Sequence, residues 1–394
     1  MRAHNSATHF AADVQGYFQR TPGLSVNTVL ANTTLGSNAL AANTTGANNS
    51  AVGSNALAAN TTGNYNSALG TSALAANTTG NWNSALGYVA LSSNTTGRGN
   101  SAVGYTALTA NTEGNYNSAF GYYALRANTT ANHNSAFGTE ALNANTTGSY
   151  NSAFGPAALM MNKAGYENAA LGHAVLYSND TGHHNSAFGN EALQANTTGY
   201  NNAAFGNYAL SGLASGNVNI GVGYGAGWSL TSGSYNIYIG NNGVSSESNT
   251  MRIGSGNQTA TYIAGIYGQT SGSGIAVSVN NLGKLGTTTS SRRYKEQITD
   301  MSAESDVLLR LRPVSFYYRP ELDETHLRQY GLVAEEVAEV APDLVAYDED
   351  GTPQTVRYHF VNAMLLNEVQ KQRRHIQDLE ARLAALESAL AGDR

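Results

Sequence analysis

The stretch Asn117-Ser118-Ala119-Phe120-Gly121 decides the fold, because close variants of it recur every 17 residues. A second phrase, of the type Ala-Leu-x-Ala-Asn-Thr-Thr-Gly at 56–63, lies between the copies. An unbroken period over about 200 residues is typical of solenoids, in which each repeat contacts only its neighbours. The leading asparagine occurs twelve times without a slip, at Asn49, Asn66, Asn83, Asn100, Asn117, Asn134, Asn151, Asn168, Asn185, Asn202, Asn219 and Asn236.

Each repeat is predicted to form one coil with two short strands. Asn, Thr and Gly are poor helix formers, and the repeat is too short for a helix pair. We expect one strand at Ala51-Val52, a second at Ala56-Leu57, and a corner at Gly53 between them. Asn-Thr-Thr-Gly is expected to make the longer return, because Asn and Gly tolerate the positive φ of tight turns. The sequence therefore predicts a mainly β protein built on a parallel β-roll or β-solenoid.

Stacking of the coils places identical residues in columns. Strands pair at about 4.8 Å, and Asn side chains at that spacing can form a ladder of amide hydrogen bonds. Each coil offers few large apolar side chains, such as Phe137 with Leu142, against an ordering cost of ~1–2 kcal/mol per residue. We therefore expect a parallel homotrimer, in which the Phe/Leu column faces the partner copies.

The repeat resembles the head repeats of trimeric autotransporter adhesins, which are left-handed parallel β-rolls, and the repeats of many phage and prophage tail fibres. A surface adhesin of this type needs a secretion signal and a membrane anchor. Residues 1–20 contain no apolar run typical of a secretion signal, and no stretch of about 18 apolar residues occurs. We therefore expect a virion or prophage particle component made in the bacterial cytoplasm, with no membrane insertion. A bacterial surface adhesin that keeps its C-terminal domain uncleaved is the alternative.

Composition narrows the class of protein and divides the chain near residue 290. The chain contains no cysteine, which excludes disulfides and thiolate metal sites. Residues 1–289 carry 7 Lys/Arg and 7 Asp/Glu, whereas residues 290–394 carry 13 and 19. Nothing is basic enough to indicate nucleic-acid binding, and no cofactor is expected. The predicted segments are 1–30 (attachment or atypical start), 31–241 (solenoid), 242–289 (β-rich neck, with strands at 261–267 and 276–279) and 290–394 (C-terminal domain).

Aromatic side chains recur in the position before the repeat asparagine, as Tyr65, Trp82, Tyr116 and Tyr150. Rows of exposed rings beside Asn and Thr suit a cell-surface glycan, because a sugar's apolar face packs on a ring while polar groups bond its hydroxyls. The alternative, which we favour, is that these rings stack on one another and stiffen the solenoid. His183-His184 has no evident third ligand, so no metal site is predicted.

Ser290-Ser291-Arg292-Arg293-Tyr294-Lys295 stands at the domain boundary. It pairs a hydroxyl with an amine five residues later. A lysine that is removed from water can act as a base toward a serine nucleophile. Ser and Lys are common, however, so this spacing alone is weak evidence, and a basic turn leading into a helix is the alternative.

The same stretch resembles the start of the intramolecular chaperone domain of phage endosialidases and other tail fibres, an auto-processing peptidase family. Its opening has the form Ser-Asp-x-Arg-Leu-Lys; Ser290, Arg293 and Lys295 match, whereas Ser291 replaces Asp and Tyr294 replaces Leu. The resemblance continues through residues 308–313, 330–337 and 356–358. It implies that Ser290 attacks the carbonyl carbon of Thr289 with Lys295 as general base, so that the protein cleaves only its own chain.

The rest of the C-terminal domain is predicted to be α+β. Helices are expected at 303–311 and 332–340, and strands at 314–318, 344–347 and 355–358, the last two joined through an Asp-Gly turn. From Asn362 to Leu390 the heptad positions follow one another in steps of three and four and are apolar except at Asn362 and Gln372, which indicates a coiled coil. A coiled coil aligns the chains at one end, and repetitive strands are those most liable to pair out of register. An enzyme that acts on polysaccharide is disfavoured, because the few carboxylates of the repeats do not form a close pair.

Overall fold

The computed structural model describes residues 24–27, 30–266, 271–280, 282–348 and 350–392. The predicted N-terminal segment 1–30 lies outside the described residues, apart from 24–27 and Leu30. The chain divides into two compact units, one ending at Tyr262 and the other beginning at Ile263. Each unit is described by itself.

The first unit is a parallel β-solenoid with one three-residue strand in nearly every coil. Its single sheet has 15 strands in chain order. Ser50 pairs with Ser67, Ala51 with Ala68 and Val52 with Leu69, so identical positions of the repeat stack. This confirms the predicted mainly β solenoid. Strands β1 to β15 are Leu24–Asn27, Asn32–Leu35, Ser50–Val52, Ser67–Leu69, Ser84–Leu86, Ser101–Val103, Ser118–Phe120, Ser135–Phe137, Ser152–Phe154, Ala169–Leu171, Ser186–Phe188, Ala203–Phe205, Ile220–Val222, Ile237–Ile239 and Met251–Ile253.

The prediction of a second strand at Ala56-Leu57 is wrong, because these residues lie in a turn. Asn55 and Leu57 have φ values of 58° and 51°, in the left-handed region that an extended strand cannot use. The Leu57 N–H still donates to the Ala73 oxygen of the next coil at 3.0 Å. The predicted corner is present, since Gly53 has a φ of 133° and a Cβ there would lie 2.4 Å from the Gly70 oxygen.

The interior of each coil is closed within one chain. Ala51, Ala56 and Leu57 are fully buried, and their equivalents in the other coils form one continuous core. Alternation along the three-residue strand turns Ala51 inward and Val52 outward. The Phe/Leu/Val column at the third strand position is therefore on the outer surface, where Leu69 is 50% exposed.

The predicted asparagine ladder is present, and a second one runs beside it. In the first, the Asn66 N–H donates to Asn49 Oδ1 and Asn66 Nδ2 donates to the Gly80 oxygen, both at 2.9 Å. In the second, Asn77 Nδ2 donates to Asn60 Oδ1 at 2.8 Å and to the same Gly80 oxygen at 3.0 Å. The buried amides of both ladders are thus hydrogen-bonded, except that Asn196 Oδ1, at the end of the second ladder, has no partner among the described residues. These hydrogen bonds stabilise the stacked coils in addition to the burial of apolar surface.

Apolar side chains replace the second ladder at the C-terminal end of the solenoid, where Leu213 and Leu230 take the ladder positions. Tyr238 fills the interior, and a Cβ at Gly227 would lie 2.7 Å from its ring. The Tyr238 hydroxyl donates to Glu247 Oε1 at 2.9 Å. Strand β15 follows β14 after 14 residues instead of 17, so the parallel sheet continues past residue 241.

The second unit is α+β, with a small core around Val337, Leu344, Val345, Val356 and Val361. Its strands pair antiparallel, as β16 with β17, β18 with β19 and β20 with β21. Strands β16 to β21 are Val277–Val279, Leu285–Thr287, Val314–Phe316, Gln329–Gly331, Val345–Tyr347 and Pro353–Val356; the 3-10 helices are Arg292–Tyr294, Ser302–Arg310 and Pro342–Leu344; the α-helices are α1, Ala334–Val340, and α2, Tyr358–Gly392.

Most elements predicted in this part of the chain are present, but one predicted strand is absent and two observed strands, β17 and β19, are not in the prediction. Strand β19 is not in the prediction, because Gln329-Tyr330-Gly331 has no alternating pattern. The strand expected at 261–267 is wrong for 261–266, which form no strand, and Tyr267 lies outside the described residues. The Gly-rich surroundings leave this stretch without a neighbouring strand to pair with.

Candidate functional site

A 3-10 turn brings Ser290 and Lys295 together. The strand Leu285–Thr287 ends two residues before Thr289-Ser290, and Ser291 precedes the turn with φ −65° and ψ 141°. The Tyr294 N–H donates to the Ser291 oxygen at 3.0 Å. Lys295 Nζ consequently lies 3.4 Å from Ser290 Oγ, which is long for a hydrogen bond but close enough for proton transfer after a small adjustment.

This pair is fully open to solvent in one chain. Thr289, Ser290 and Lys295 are all exposed, as is the 3-10 turn between them. The Arg293 guanidinium lies 4.7 Å from the Tyr294 ring centroid, a cation–π contact. The structure thus places both residues of the predicted dyad together, next to the peptide bond that they are predicted to cut.

A polar cluster joins the 3-10 helix Ser302–Arg310 to α2. Ser305 is fully buried and donates to the carboxylate of Glu368, which is also buried. Asn367 Nδ2 donates to Ser305 Oγ at 2.6 Å, and Lys371 Nζ donates to Glu368 Oε1 at 2.7 Å. The hydrogen bonds from Lys371 and then Ser305 hold the pKa of Glu368 below its usual value. The sequence analysis missed this cluster, although the spacing of Asn367, Glu368 and Lys371 places them on one face of a helix.

The aromatic side chains before the repeat asparagine stack along the solenoid. Tyr65 and Trp82 are parallel with centroids 6.5 Å apart, and His133 lies 5.1 Å from Tyr116 and 5.0 Å from Tyr150. Stacked neighbours cover ring faces, so His133 presents mainly its edge to solvent. This is the arrangement that the stiffening interpretation predicts, and a glycan that needs a ring face requires an interruption of the stack.

A second aromatic column follows the corner glycines. Tyr105 stacks between Tyr88 and Tyr122 with centroids 5.3 and 5.4 Å apart. A third stack places His183 between Tyr166 and Tyr200 at 4.7 and 5.0 Å. His183 also contacts the His184 ring edge-on, with centroids 5.0 Å apart. Among the described residues, no group of three or more His, Cys, Asp or Glu side chains lies close enough to hold a metal ion.

In the described part of the chain, no helix is both long and apolar enough to cross a membrane.

Comparison with known protein families identifies residues 290–346 as similar to the family described as the chaperone of endosialidase. The match begins at Ser290 and covers the Ser290–Lys295 turn, the core helix α1 and strand β18. The rest of the chain, including the solenoid, lies outside it. No curated protein and no solved structure matches the chain.

Proposed function

Because an endosialidase-type chaperone region follows a parallel β-solenoid, the chain fits a tail-fibre-like protein with its own chaperone, and we propose that it works as a homotrimer. In this proposal the C-terminal domain assembles three chains and then cuts itself off between Thr289 and Ser290. The observation that carries the proposal is the amount of apolar surface that one chain leaves uncovered.

The first uncovered surface is the heptad stripe of α2. Val369, Ile376 and Leu383 are 53–59% exposed, and every described residue from 372 to 391 is exposed. A helix of 35 residues spans about 52 Å, and a long apolar stripe in water is typical of an interaction surface. Its steps of three and four fit a parallel coiled coil with other copies of this helix.

The second uncovered surface is the part of the neck from Ile263 onward, which has no core of its own. Every described residue from Ile263 to Asp300 is exposed, including Val277, Val279 and Leu285 in the hairpin β16–β17. An isolated two-stranded hairpin is marginally stable in water. Other copies of the same segment would bury these side chains and stabilise the hairpin.

The third uncovered surface is the outer face of the solenoid. The residue at the third position of each repeat strand is apolar. Leu69, Phe120 and Phe205 are 36–50% exposed, whereas Val52, Val103, Phe137 and Phe188 are half-buried. Phe120 and Phe137 stack at 4.7 Å, and Phe137 and Phe154 at 4.8 Å, so the column is continuous. It supports the expectation that this column faces partner copies, although each coil interior is complete without them.

The exposure of the dyad suggests how assembly would control cleavage. An amine in water stays solvated and charged, whereas exclusion of water favours the neutral form that accepts a proton. Once neighbouring copies cover the neck, Ser290 Oγ would lose its proton to Lys295 and attack the carbonyl carbon of Thr289. The peptide bond would become an ester to Ser290 Oγ with a free Ser290 amine. Water would then hydrolyse the ester and release residues 290–394.

The chaperone would act by fixing the register of the repeats. Coils that differ little from one another can pair one repeat out of step, and joining three chains at one end turns this search into local zippering. Removal of the clamp afterwards makes assembly irreversible. The assembled solenoid would then serve as the shaft of a virion or prophage tail fibre, made in the bacterial cytoplasm, that binds a cell-surface receptor.

Mass spectrometry of the purified protein under denaturing conditions tests the cleavage. We expect fragments that end at Thr289 and begin at Ser290, and we expect Ser290→Ala and Lys295→Arg to give only the intact chain. Ser291→Ala is the matched control, because it removes the neighbouring hydroxyl, and it should still be cut. Cleavage at the same bond in Ser290→Ala would refute the dyad.

A further inference from the structure

Between Tyr65 and Tyr150, the aromatic column before the repeat asparagine is interrupted only at Gly99. Gly99 takes the position that Trp82 and Tyr116 occupy in the adjacent coils. Among the described coils it is the only glycine in this column. Its φ of 66° matches the 59° of Trp82 and the 56° of Tyr116, so the backbone conformation there accepts an aromatic residue. The equivalent position of the other coils holds residues other than glycine, so the backbone does not require glycine at position 99.

The missing side chain leaves space beside one ring face. Trp82 and Tyr116 belong to coils two strand spacings apart, about 9.6 Å, whereas the ring centroids of neighbouring coils elsewhere in the column are 5.0–6.5 Å apart. Tyr65 covers one face of Trp82, and no side chain at position 99 covers the other. Trp82 is 57% exposed. The Tyr116 ring lies against the Gly99 backbone, where a Cβ would be 2.7 Å from Tyr116 Cδ1.

A single positive charge stands beside this space. Arg98 precedes Gly99, is exposed, and holds its guanidinium carbon 5.7 Å from the Tyr116 ring centroid. It is the only charged residue between Arg20 and Glu113. Asn81 and Asn115 of the adjacent coils offer amides that can bond hydroxyl groups. Glu113 is exposed in the next coil, and Arg98 forms no ion pair within the described part of the chain. An open indole face, a guanidinium without an ion pair and amide neighbours together fit a sugar ring that carries a carboxylate.

We infer that Trp82, Arg98, Gly99 and Tyr116 form a subsite for an acidic sugar unit of a surface polysaccharide, such as a uronic acid. The apolar face of the pyranose packs on the free face of Trp82, and its carboxylate pairs with Arg98. This inference rests on the proposed receptor binding and names the chemical class that the solenoid recognises. It also gives the aromatic column two roles, stiffening where rings are stacked and binding where the stack is open.

Tryptophan fluorescence can report on this subsite alone. The chain has two tryptophans, and Trp228→Phe leaves Trp82 as the only one, which is excited at a wavelength that tyrosine does not absorb. The full-length Trp228→Phe protein is titrated with a galacturonic acid tetrasaccharide and, in parallel, with a neutral glucose tetrasaccharide. We expect a saturable change in Trp82 emission with the acidic tetrasaccharide, and a clearly weaker affinity for the neutral one.

Three further variants locate the response. Gly99→Tyr fills the open position with the column's own residue type and should abolish saturation, whereas Asn201→Tyr adds a ring to the same column far from the subsite and should leave it unchanged. Arg98→Gln, which changes no backbone requirement, should weaken binding of the acidic tetrasaccharide about tenfold.

Three results would overturn the inference. The first is a Trp82 emission of the Trp228→Phe protein that does not change on addition of the acidic tetrasaccharide. The second is a response to it that is the same with and without Gly99→Tyr. The third is an equal affinity for the acidic and the neutral tetrasaccharide. Light scattering and mass spectrometry on the same preparation report assembly and cleavage separately. A protein that assembles and cleaves but shows no change in Trp82 emission contradicts the sugar subsite alone.

Discussion

The buried asparagine ladder makes a quantitative prediction for Asn117→Ala. Asn117 Oδ1 accepts the Asn134 N–H at 3.0 Å, and Asn117 Nδ2 donates to the Ala131 oxygen at 2.8 Å and to Asn100 Oδ1 at 3.2 Å. After the substitution, the Ala131 oxygen keeps its bond from Asn128 and Asn100 Oδ1 keeps the residue-117 N–H. Only the Asn134 N–H loses its partner inside the solenoid.

The magnitude follows from that orphaned group. A buried donor without a partner costs about 1–3 kcal/mol, and each lost net hydrogen bond adds about 0.5–1.5 kcal/mol. We expect the local opening free energy of this coil to fall by about 3 kcal/mol, which is about a hundredfold faster hydrogen exchange at the Asn134 amide.

The matched control lies two residues away on the surface. Asn115 is only half-buried, and its Oδ1 accepts the Arg98 N–H at 3.0 Å. Water can replace that bond, so Asn115→Ala should speed exchange of the Arg98 amide by less than about tenfold. Hydrogen–deuterium exchange with mass spectrometry measures both amides. Unchanged protection of Asn134 in Asn117→Ala would show that the ladder contributes nothing to coil stability.

Two other predictions concern the core and the end of the solenoid. Leu125→Ala, at a fully buried position, should lower the local stability of its coil by about 3–5 kcal/mol. Faster hydrogen exchange at the backbone amide of residue 125 measures this loss. The control Arg126→Ala, at the exposed neighbouring position, should change that exchange rate little. Hydrogen bonds from the Arg252 guanidinium, and then from the Tyr238 hydroxyl and the Val244 N–H, lower the pKa of Glu247 below 4.5. The ionised Glu247 carboxylate therefore stabilises the folded protein fully above pH 4.5. This stabilisation is lost as the pH falls through the lowered pKa of Glu247 in the folded protein. Thermal melting between pH 6 and pH 3 should show this loss in the wild type and much less of it in Glu247→Gln; equal pH dependence of the two proteins would exclude Glu247 as the titrating group.

The parts of the fold that follow from the repeat were predictable from sequence. An unbroken step from Asn49 to Asn236 requires identical positions to stack, and this fixes the parallel register, the Gly53 corner and one asparagine ladder. The Ser290–Lys295 pair was also predictable, because residues five apart are brought together by a short local turn. In the proposed trimer, the side chains that would cover this pair belong to other copies, which one sequence does not place.

Other features depend on tertiary structure that the repeat does not reveal. Ala56-Leu57 is a short apolar run between turn residues, which suits a buried strand, yet hydrogen bonds to the adjacent coils hold Leu57 at positive φ. The second ladder was hidden because Asn60 belongs to a phrase that is typical of an exposed turn, although its side chain is buried. The contact between Ser305 and Glu368 joins residues 63 apart, and no periodic pattern points to it.

Light scattering on the uncleaved Ser290→Ala protein tests the central claim most directly. The claim is that the exposed apolar stripe of α2, the neck without a core and the outer column of the solenoid are covered by two further copies. At micromolar concentration and neutral pH the account predicts a mass of three 41.2 kDa chains, about 124 kDa. A well-folded particle of 41.2 kDa under the same conditions would contradict it.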